Sequence, residues 1–348
     1  MPAGAWQTVG MSPDAAPAIP SLADLERARD HVAAAAWRTP LLRLDLRGPG
    51  GGAVYAKPEN LQRTGSFKLR GALNFLASLP EATRARGVVT HSSGNHAQGV
   101  AFAARHFGVS ATIVIPEGAP RVKVERTRAL GAEVVRCANT QAARHETAEA
   151  IAEASGATLV PPYDHPWIVA GQGTIGLEIA DDLPDVANVL APIGGGGLSS
   201  GITLALAART PTARVIGVEP ELAADARASL LAGERTAWPA EEVTRTLADG
   251  VRTQSIGELN FRILHGRAVS VQTVRETEIR RATAWYARRA HLVVEPTGAL
   301  TLAAFERLLA GEGDGPALAD GPSVLLISGG NVDDDLFCRL LREEFPTA

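Results

Sequence analysis

Short β-branched runs alternate along this chain with longer Ala- and Leu-rich segments whose apolar residues recur at helical spacing. An unbroken apolar run bounded by turn residues marks a buried strand, and a 3.6-residue period marks a helix. Their repeated alternation predicts an α/β fold with mostly parallel sheets and flanking helices. Strands are predicted at GVVTH (87–91), ATIVIP (111–116), AEVVRC (132–137), NVLAPI (188–193), ARVIGVE (213–219) and SVLLIS (323–328). PRVKVERTRALG and TQAARHETAEAIAEASG read as helices, the second closing on a glycine suited to a C-cap. LSSGITLALAARTP reads as the helix after NVLAPI. There is no internal repeat, and GEGDGPALADGP (311–322) reads as an exposed loop before the last strand.

Length and composition narrow the picture. At 348 residues and 45% hydrophobic, the chain supports two domains better than one. A net charge of -4 and a pI near 6.1 offer no basic stripe for nucleic acid. The longest apolar runs, such as VLLI at 324–327, are strand-length and far short of a bilayer span. Residues 1–20 are rich in Ala, Pro and Gly with no basic start before an apolar block, so they read as a flexible arm, with Met11 an alternative start. Cys137 and Cys338 match neither a CxxC nor a zinc spacing, and two reduced thiols point to a cytoplasmic protein. Lysine occurs only at Lys57, Lys68 and Lys123, the other basic residues being arginine. An amine, unlike a guanidinium, can lose its proton at modest cost and attack a carbonyl.

Four stretches combine unusual residues with a place where α/β proteins bind ligands, the loops beyond the carboxyl ends of strands. Gly194, Gly195, Gly196 and Gly197 stand between a predicted strand and a predicted helix, where bare amides and the helix dipole attract a phosphate. The dinucleotide pattern GxGxxG lacks its third glycine here, and the P-loop ending GK[ST] is absent. HSSGNHAQG (91–99) offers two hydroxyls, an amide and an imidazole at a helix start, a set able to hold a carboxylate. Ser328 ends the strand SVLLIS, and Lys68 lies between Phe67 and Leu69. A phosphate cup, an amine in an apolar setting, a carboxylate-binding loop and a hydroxyl are the parts that a pyridoxal phosphate enzyme needs to act on an amino acid.

The words KPENLQRTGSFKLRGA, SSGNHAQG, GQGT (171–174), GGGGL, EPTGA (295–299) and SGGNVD follow one another from about residue 55 to 333. In these the sequence resembles the fold type II pyridoxal phosphate enzymes, a tryptophan synthase β-like fold, and among them the threonine and serine dehydratases and serine racemases. The resemblance implies two α/β domains with the cofactor in the seam. Residues 21–80 and 166–348 would form the large domain, and 81–165 a small one that closes over the substrate. It implies that Lys68 joins the cofactor's aldehyde and, once freed, acts as the base. The loop Gly194–Gly197 with Leu198 would hold the 5′-phosphate, and Asn95 the ring hydroxyl. Phe67 would pack on the ring, Ser328 would meet the pyridine nitrogen, and Glu295 would lie near the ring. Ser92, Ser93, Asn95 and His96 would hold the substrate carboxylate.

The reaction so implied is dehydration and deamination of a β-hydroxy amino acid, such as L-threonine or L-serine, to a 2-oxo acid and ammonia. Many threonine dehydratases of the family carry SAGNH where this chain has SSGNH, the form found in serine racemases and 3-hydroxyaspartate dehydratases. A hydroxyl at Ser93 could therefore be a second acid/base opposite Lys68. Racemisation, hydroxyaspartate dehydration and cofactor binding without turnover are the rival readings. HAQG and PPYDHPW are closer to dehydratases. Glu219 and Asp225, with the carbonyl of Ala223 between them, suit a magnesium, manganese or calcium ion completed by waters, at the positions of the racemase branch's cation site. A homodimer is expected from the family. The chain ends soon after SGGNVD, so the regulatory domain of biosynthetic threonine dehydratases is not expected.

Overall fold

The computed structural model describes residues 17–344 except 120 and 314. Most of the arm expected at 1–20, and Met11 with it, therefore lies outside the described residues.

Ten strands among these residues form two sheets. They are β1 (Leu42–Arg47), β2 (Ala53–Pro58), β3 (Val88–His91), β4 (Ala111–Pro116), β5 (Glu133–Cys137), β6 (Thr158–Leu159), β7 (Asn188–Pro192), β8 (Arg214–Pro220), β9 (Ser270–Val274) and β10 (Ser323–Ile327). The six-stranded sheet runs β1-β2-β10-β7-β8-β9, and the four-stranded sheet runs β5-β4-β3-β6. Every pairing is parallel except β1 with β2. All six strands predicted from the sequence are present, and β1, β2, β6 and β9 are additional.

The patterning explains the placement. β7 and β10, NVLAP and SVLLI, are buried along their whole length because helices cover both faces of a parallel sheet. The edge strand β1, LRLDLR, alternates instead. One face of the large sheet packs on the helices Pro296–Leu309 and Glu276–Trp285, the other on Pro166–Asp182 and Gly197–Arg209. Glycine brings those last two helices together, since a Cβ at Gly201 would stand 2.4 Å from the Val169 carbonyl oxygen. The helix Lys68–Ser78 joins the two halves. Leu69, Leu73 and Leu76 enter the core beneath the small sheet with Val100, Ile113 and Ile115, each burial worth about 1.5–3 kcal/mol. Gly71 faces the helix Pro166–Asp182 instead, where a Cβ at Gly171 would meet Gly71 Cα at 2.7 Å. The carboxyl ends of β3, β7 and β10 consequently deliver the Ser92 loop, the glycine loop and Ser328 to the region where this helix begins. Among the described residues no helix is long and apolar enough to cross a membrane.

Candidate active site

Lys68 is the first residue of its helix, and the backbone before it is stitched to the end of β10. The Phe67 amide donates to the Ser328 carbonyl at 3.1 Å, the Gly330 amide donates to the Gly65 carbonyl at 2.9 Å, and Ser66 bridges Gly329. Gly65 makes the preceding turn at φ 70°, a left-handed conformation that glycine adopts without strain. Through this seam Lys68, Phe67 and Ser328 face one cavity, lined also by Tyr163 and the glycines 194–197.

The Lys68 amine opens onto that cavity but is otherwise enclosed. Its Nζ donates to the Pro162 carbonyl at 2.8 Å and lies 5.3 Å from the centre of the Phe67 ring. Burial, with no carboxylate to offset it, brings its pKa down to about 8. Ser328 Oγ is buried without a hydrogen-bond partner at the cavity wall. A buried hydroxyl left so is costly and is satisfied by a polar atom entering the cavity.

The glycine loop is built for close approach. Gly196 has φ 90°, and a Cβ at Gly195 would stand 2.2 Å from the Tyr163 ring. At Gly197 it would stand 2.8 Å from the Tyr163 carbonyl oxygen. Among the described residues no backbone carbonyl accepts from the amides of Gly194, Gly195 or Gly196, which leave β7 and lead into the helix Gly197–Arg209. Unpaired amides at a helix start beside a buried amine form an anion cradle.

Asn95, the first residue of the helix Asn95–Phe107, is fixed from two sides. Its Nδ2 donates to Glu295 Oε1 at 2.8 Å, and its Oδ1 accepts from Asn331 Nδ2 at 2.8 Å. Asn331 also donates to the Thr64 carbonyl at 2.8 Å, so the Asn95 amide has one orientation, with its second N–H unused by these partners. Glu295 is buried, where a glutamate before a proline is more often exposed, and it crowds Gly329, whose Cβ would meet Glu295 Oε1 at 2.5 Å. Ser92 Oγ accepts the Gly94 amide at 3.2 Å, folding the loop back on itself. Ser93 is half-buried between them. His96 is buried with Nε2 3.1 Å from the Val160 carbonyl oxygen, so that nitrogen carries the proton. Burial first, then the nearby Lys68 charge, pushes its pKa down to about 3, and the imidazole is neutral.

The two acidic residues singled out from the sequence lie together and away from solvent. Glu219, on β8, and Asp225, opening the helix Asp225–Ala232, are both fully buried, as is Ala223. Glu219 is pinned by the Ala226 and Arg227 amides at 3.0 and 2.8 Å. Neither Asp225 oxygen has a partner at hydrogen-bonding geometry. Burial raises both carboxyls, and for Glu219 the Asp225 charge adds to it. No group of three or more His, Cys, Asp and Glu side chains that could hold a metal ion gathers among the described residues.

Pro162, Tyr163 and Asn331 emerge from the structure alone. The first two lie in PPYDHPW and the third in SGGNVD, stretches that carry the family pattern without marking these residues' contacts.

The unpaired Ser328 hydroxyl, the glycine cradle and the enclosed Lys68 amine fit pyridoxal phosphate, an aldehyde-bearing pyridine with a phosphate arm. Comparison with known proteins agrees. The chain is 42% identical over 326 residues to an L-threonine ammonia-lyase of Thermotoga maritima, covering 93% of this chain and 78% of that one. It is 36% identical over 326 residues to a serine racemase of Schizosaccharomyces pombe, covering 93% and 98%. A solved threonine deaminase, that of T.th., superposes with a TM-score of 0.83 at 44% identity, covering 90% of this chain and 99% of that one. Residues 32–329 match the family described as "Pyridoxal-phosphate dependent enzyme", and with the cradle, the amine and the hydroxyl in place the chain belongs to that family of fold type II enzymes.

Proposed function

We propose that this protein removes water and then ammonia from a β-hydroxy amino acid of the L-threonine or L-serine type, giving a 2-oxo acid. The observation that carries the reading is the enclosed Lys68 amine, with its pKa near 8, set between the glycine cradle and a neutral Ser328 hydroxyl. Bound there, pyridoxal phosphate supplies an electrophilic carbon for the substrate amine and a conjugated ring that accepts electron density from the α-carbon.

The chain's own residues supply the rest. The amides of Gly194–Gly197 and Leu198 hold the phosphate, Phe67 packs on the ring and Asn95, aligned by Glu295 and Asn331, donates to the ring hydroxyl. Ser328 meets the ring nitrogen as a neutral partner, which weakens charge build-up in the ring and favours rapid loss of a β-leaving group. Lys68 takes the α-proton at its Nζ. Ser92, Ser93, Asn95 and His96 hold the substrate carboxylate, with neutral His96 contributing a dipole and no charge. Residues 81–165 close over the substrate and exclude water. Glu219, Asp225 and the Ala223 carbonyl hold a divalent cation, which removes the repulsion between two buried carboxylates. The protein works as a homodimer in the cytoplasm, where Cys137 and Cys338 stay reduced.

A second reading rests on Ser93. The S. pombe relative is named a serine racemase, and a hydroxyl opposite Lys68 allows a proton to leave one face and return on the other. The purified protein, with pyridoxal phosphate and either magnesium or a chelator, is expected to form 2-oxo acid from L-threonine and L-serine without inverting the remainder. Chelation is expected to slow it. Inversion of serine, or turnover of D-serine, would instead make Ser93 a second base. Turnover confined to 3-hydroxyaspartate would move the substrate to an acidic one, and no turnover on any of them would overturn the elimination reading.

The cradle has a test of its own. Gly195→Ala forces the Tyr163 ring off the loop, and the dissociation constant for pyridoxal phosphate is expected to rise at least tenfold, about 1.4 kcal/mol or more. An unchanged constant in equilibrium titration would place the phosphate elsewhere.

A further inference from the structure

The segment that supplies the Lys68 acceptor is held from behind by a carboxylate outside the cavity lining. Asp164 follows Pro162 and Tyr163, and it reaches the first turn of the helix Glu258–Gly266. Its Oδ2 accepts the Glu258 amide at 2.9 Å, and its Oδ1 accepts the Leu259 amide at 3.1 Å and Asn260 Nδ2 at 3.4 Å. The residue at that helix's own cap position is Gly257, which has no side chain to cap with. Glycine is required there, since a Cβ would stand 2.4 Å from Asp164 Oδ1. The same turn then reaches the phosphate cradle: the Gly257 amide and Asn260 Nδ2 both donate to the Gly195 carbonyl, at 3.1 and 2.7 Å. Asn260 Nδ2 also lies 3.4 Å from the Tyr163 carbonyl oxygen. The Tyr163 ring closes the loop by packing on Gly195, and Pro162 ends it at Lys68.

Resting on the reading that the cofactor's phosphate occupies the glycine cradle, we infer that Asp164 is a positioning residue for the reaction. By capping the helix Glu258–Gly266 it keeps the Pro162 carbonyl on the Lys68 amine and the Tyr163 ring against Gly195. One side chain shared by three donors fixes both ends of a short segment at once. Without it the cap donors go unpaired, and the ring and the carbonyl lose their common anchor.

The test is equilibrium titration of the full-length chain with pyridoxal phosphate, with no amino acid present. Asp164→Ala is expected to raise the dissociation constant about tenfold, the size of a lost cap. Asp164→Asn keeps an oxygen on the amides and is expected to stay within about threefold of the parent, since capping strength is similar. Ser21→Ala removes an exposed cap from the helix Leu22–Ala33 and is expected to leave the constant unchanged. An unchanged Asp164→Ala constant, an equal shift in Ser21→Ala, or no rescue in Asp164→Asn would each overturn the proposal. If the alanine variant fails to fold, Asp164→Glu takes its place with the same expectation, its extra methylene overshooting the cap. Failure of the parent itself to bind would strike the cradle reading instead, so the two failures are separate.

Discussion

Replacing Lys68 with alanine is expected to lower turnover of the hydroxy amino acid by about 10⁴-fold or more, because one side chain carries both the cofactor attachment and the proton transfer. The position is prepared for both roles. Lys68 opens its helix, so its main chain is fixed by the Phe67–Ser328 hydrogen bond at 3.1 Å, and its amine is steered by the Pro162 carbonyl. A pKa near 8 leaves about a tenth of a free amine unprotonated at neutral pH, against less than a thousandth at the ordinary lysine value. Lys68→Arg is expected to be as inactive as Lys68→Ala, since a guanidinium keeps its proton throughout this range. Both variants retain the glycine cradle and are expected to bind pyridoxal phosphate without a covalent link. Borohydride treatment followed by peptide mass analysis reads this directly: the parent retains the cofactor on the peptide containing Lys68, and the variants do not. Turnover of either variant within tenfold of the parent would remove Lys68 from the reaction.

The parts of this site that the sequence made legible are those whose function forces an unusual residue into a strand-to-helix loop. Four consecutive glycines after an apolar strand have few uses besides a close backbone approach, and the structure supplies the reason at Gly195 and Gly197. What stayed hidden depends on groups with no sequence signal. Pro162 acts through its carbonyl oxygen, 94 residues from Lys68, and Asp164 caps a helix that begins 94 residues further on. β2 also escaped the pattern, because AVYAKP contains a lysine, Lys57, that a charge network allows to be buried. The edge strand β1 was legible in the alternation of Leu42, Leu44 and Leu46, and the six predicted strands simply did not include it. Glu178 sits in the largely buried helix Pro166–Asp182, where its burial is explained only by partners from two other elements.

Those partners set the second large effect, a loss of about 3–5 kcal/mol of stability in Arg70→Met. Arg70, two residues after the lysine, is fully buried with Lys57 and Glu59, and Glu178 beside them is nearly so. Its guanidinium spans both carboxylates, with Nε 2.8 Å from Glu59 Oε2, Nη2 2.8 Å from Glu59 Oε1 and Nη1 2.6 Å from Glu178 Oε1. Lys57 Nζ donates to Glu178 Oε2 and to the Thr39 carbonyl at 2.5 and 2.6 Å. Two positive and two negative groups cancel, which is how charges survive at this depth. Burial alone would raise the Glu59 carboxyl, but the Arg70 charge and hydrogen bonds outweigh it and hold that pKa below the ordinary range. Methionine keeps much of the volume and none of the charge, so two carboxylates are left with one lysine whose own pKa burial already pushes down. The imbalance is relieved by protonating a carboxyl or admitting water, either of which disturbs the start of the helix that carries Lys68. Arg70→Lys is expected to recover only part of the loss, because a point charge cannot bridge two carboxylates as a planar fork does. Urea unfolding of the parent and both variants measures this, and Glu59→Gln in the Arg70→Met background is expected to restore some stability by removing the uncompensated charge. A loss below about 1 kcal/mol for Arg70→Met would show that the carboxylates find water without it, and the helix start would then owe its position to apolar packing.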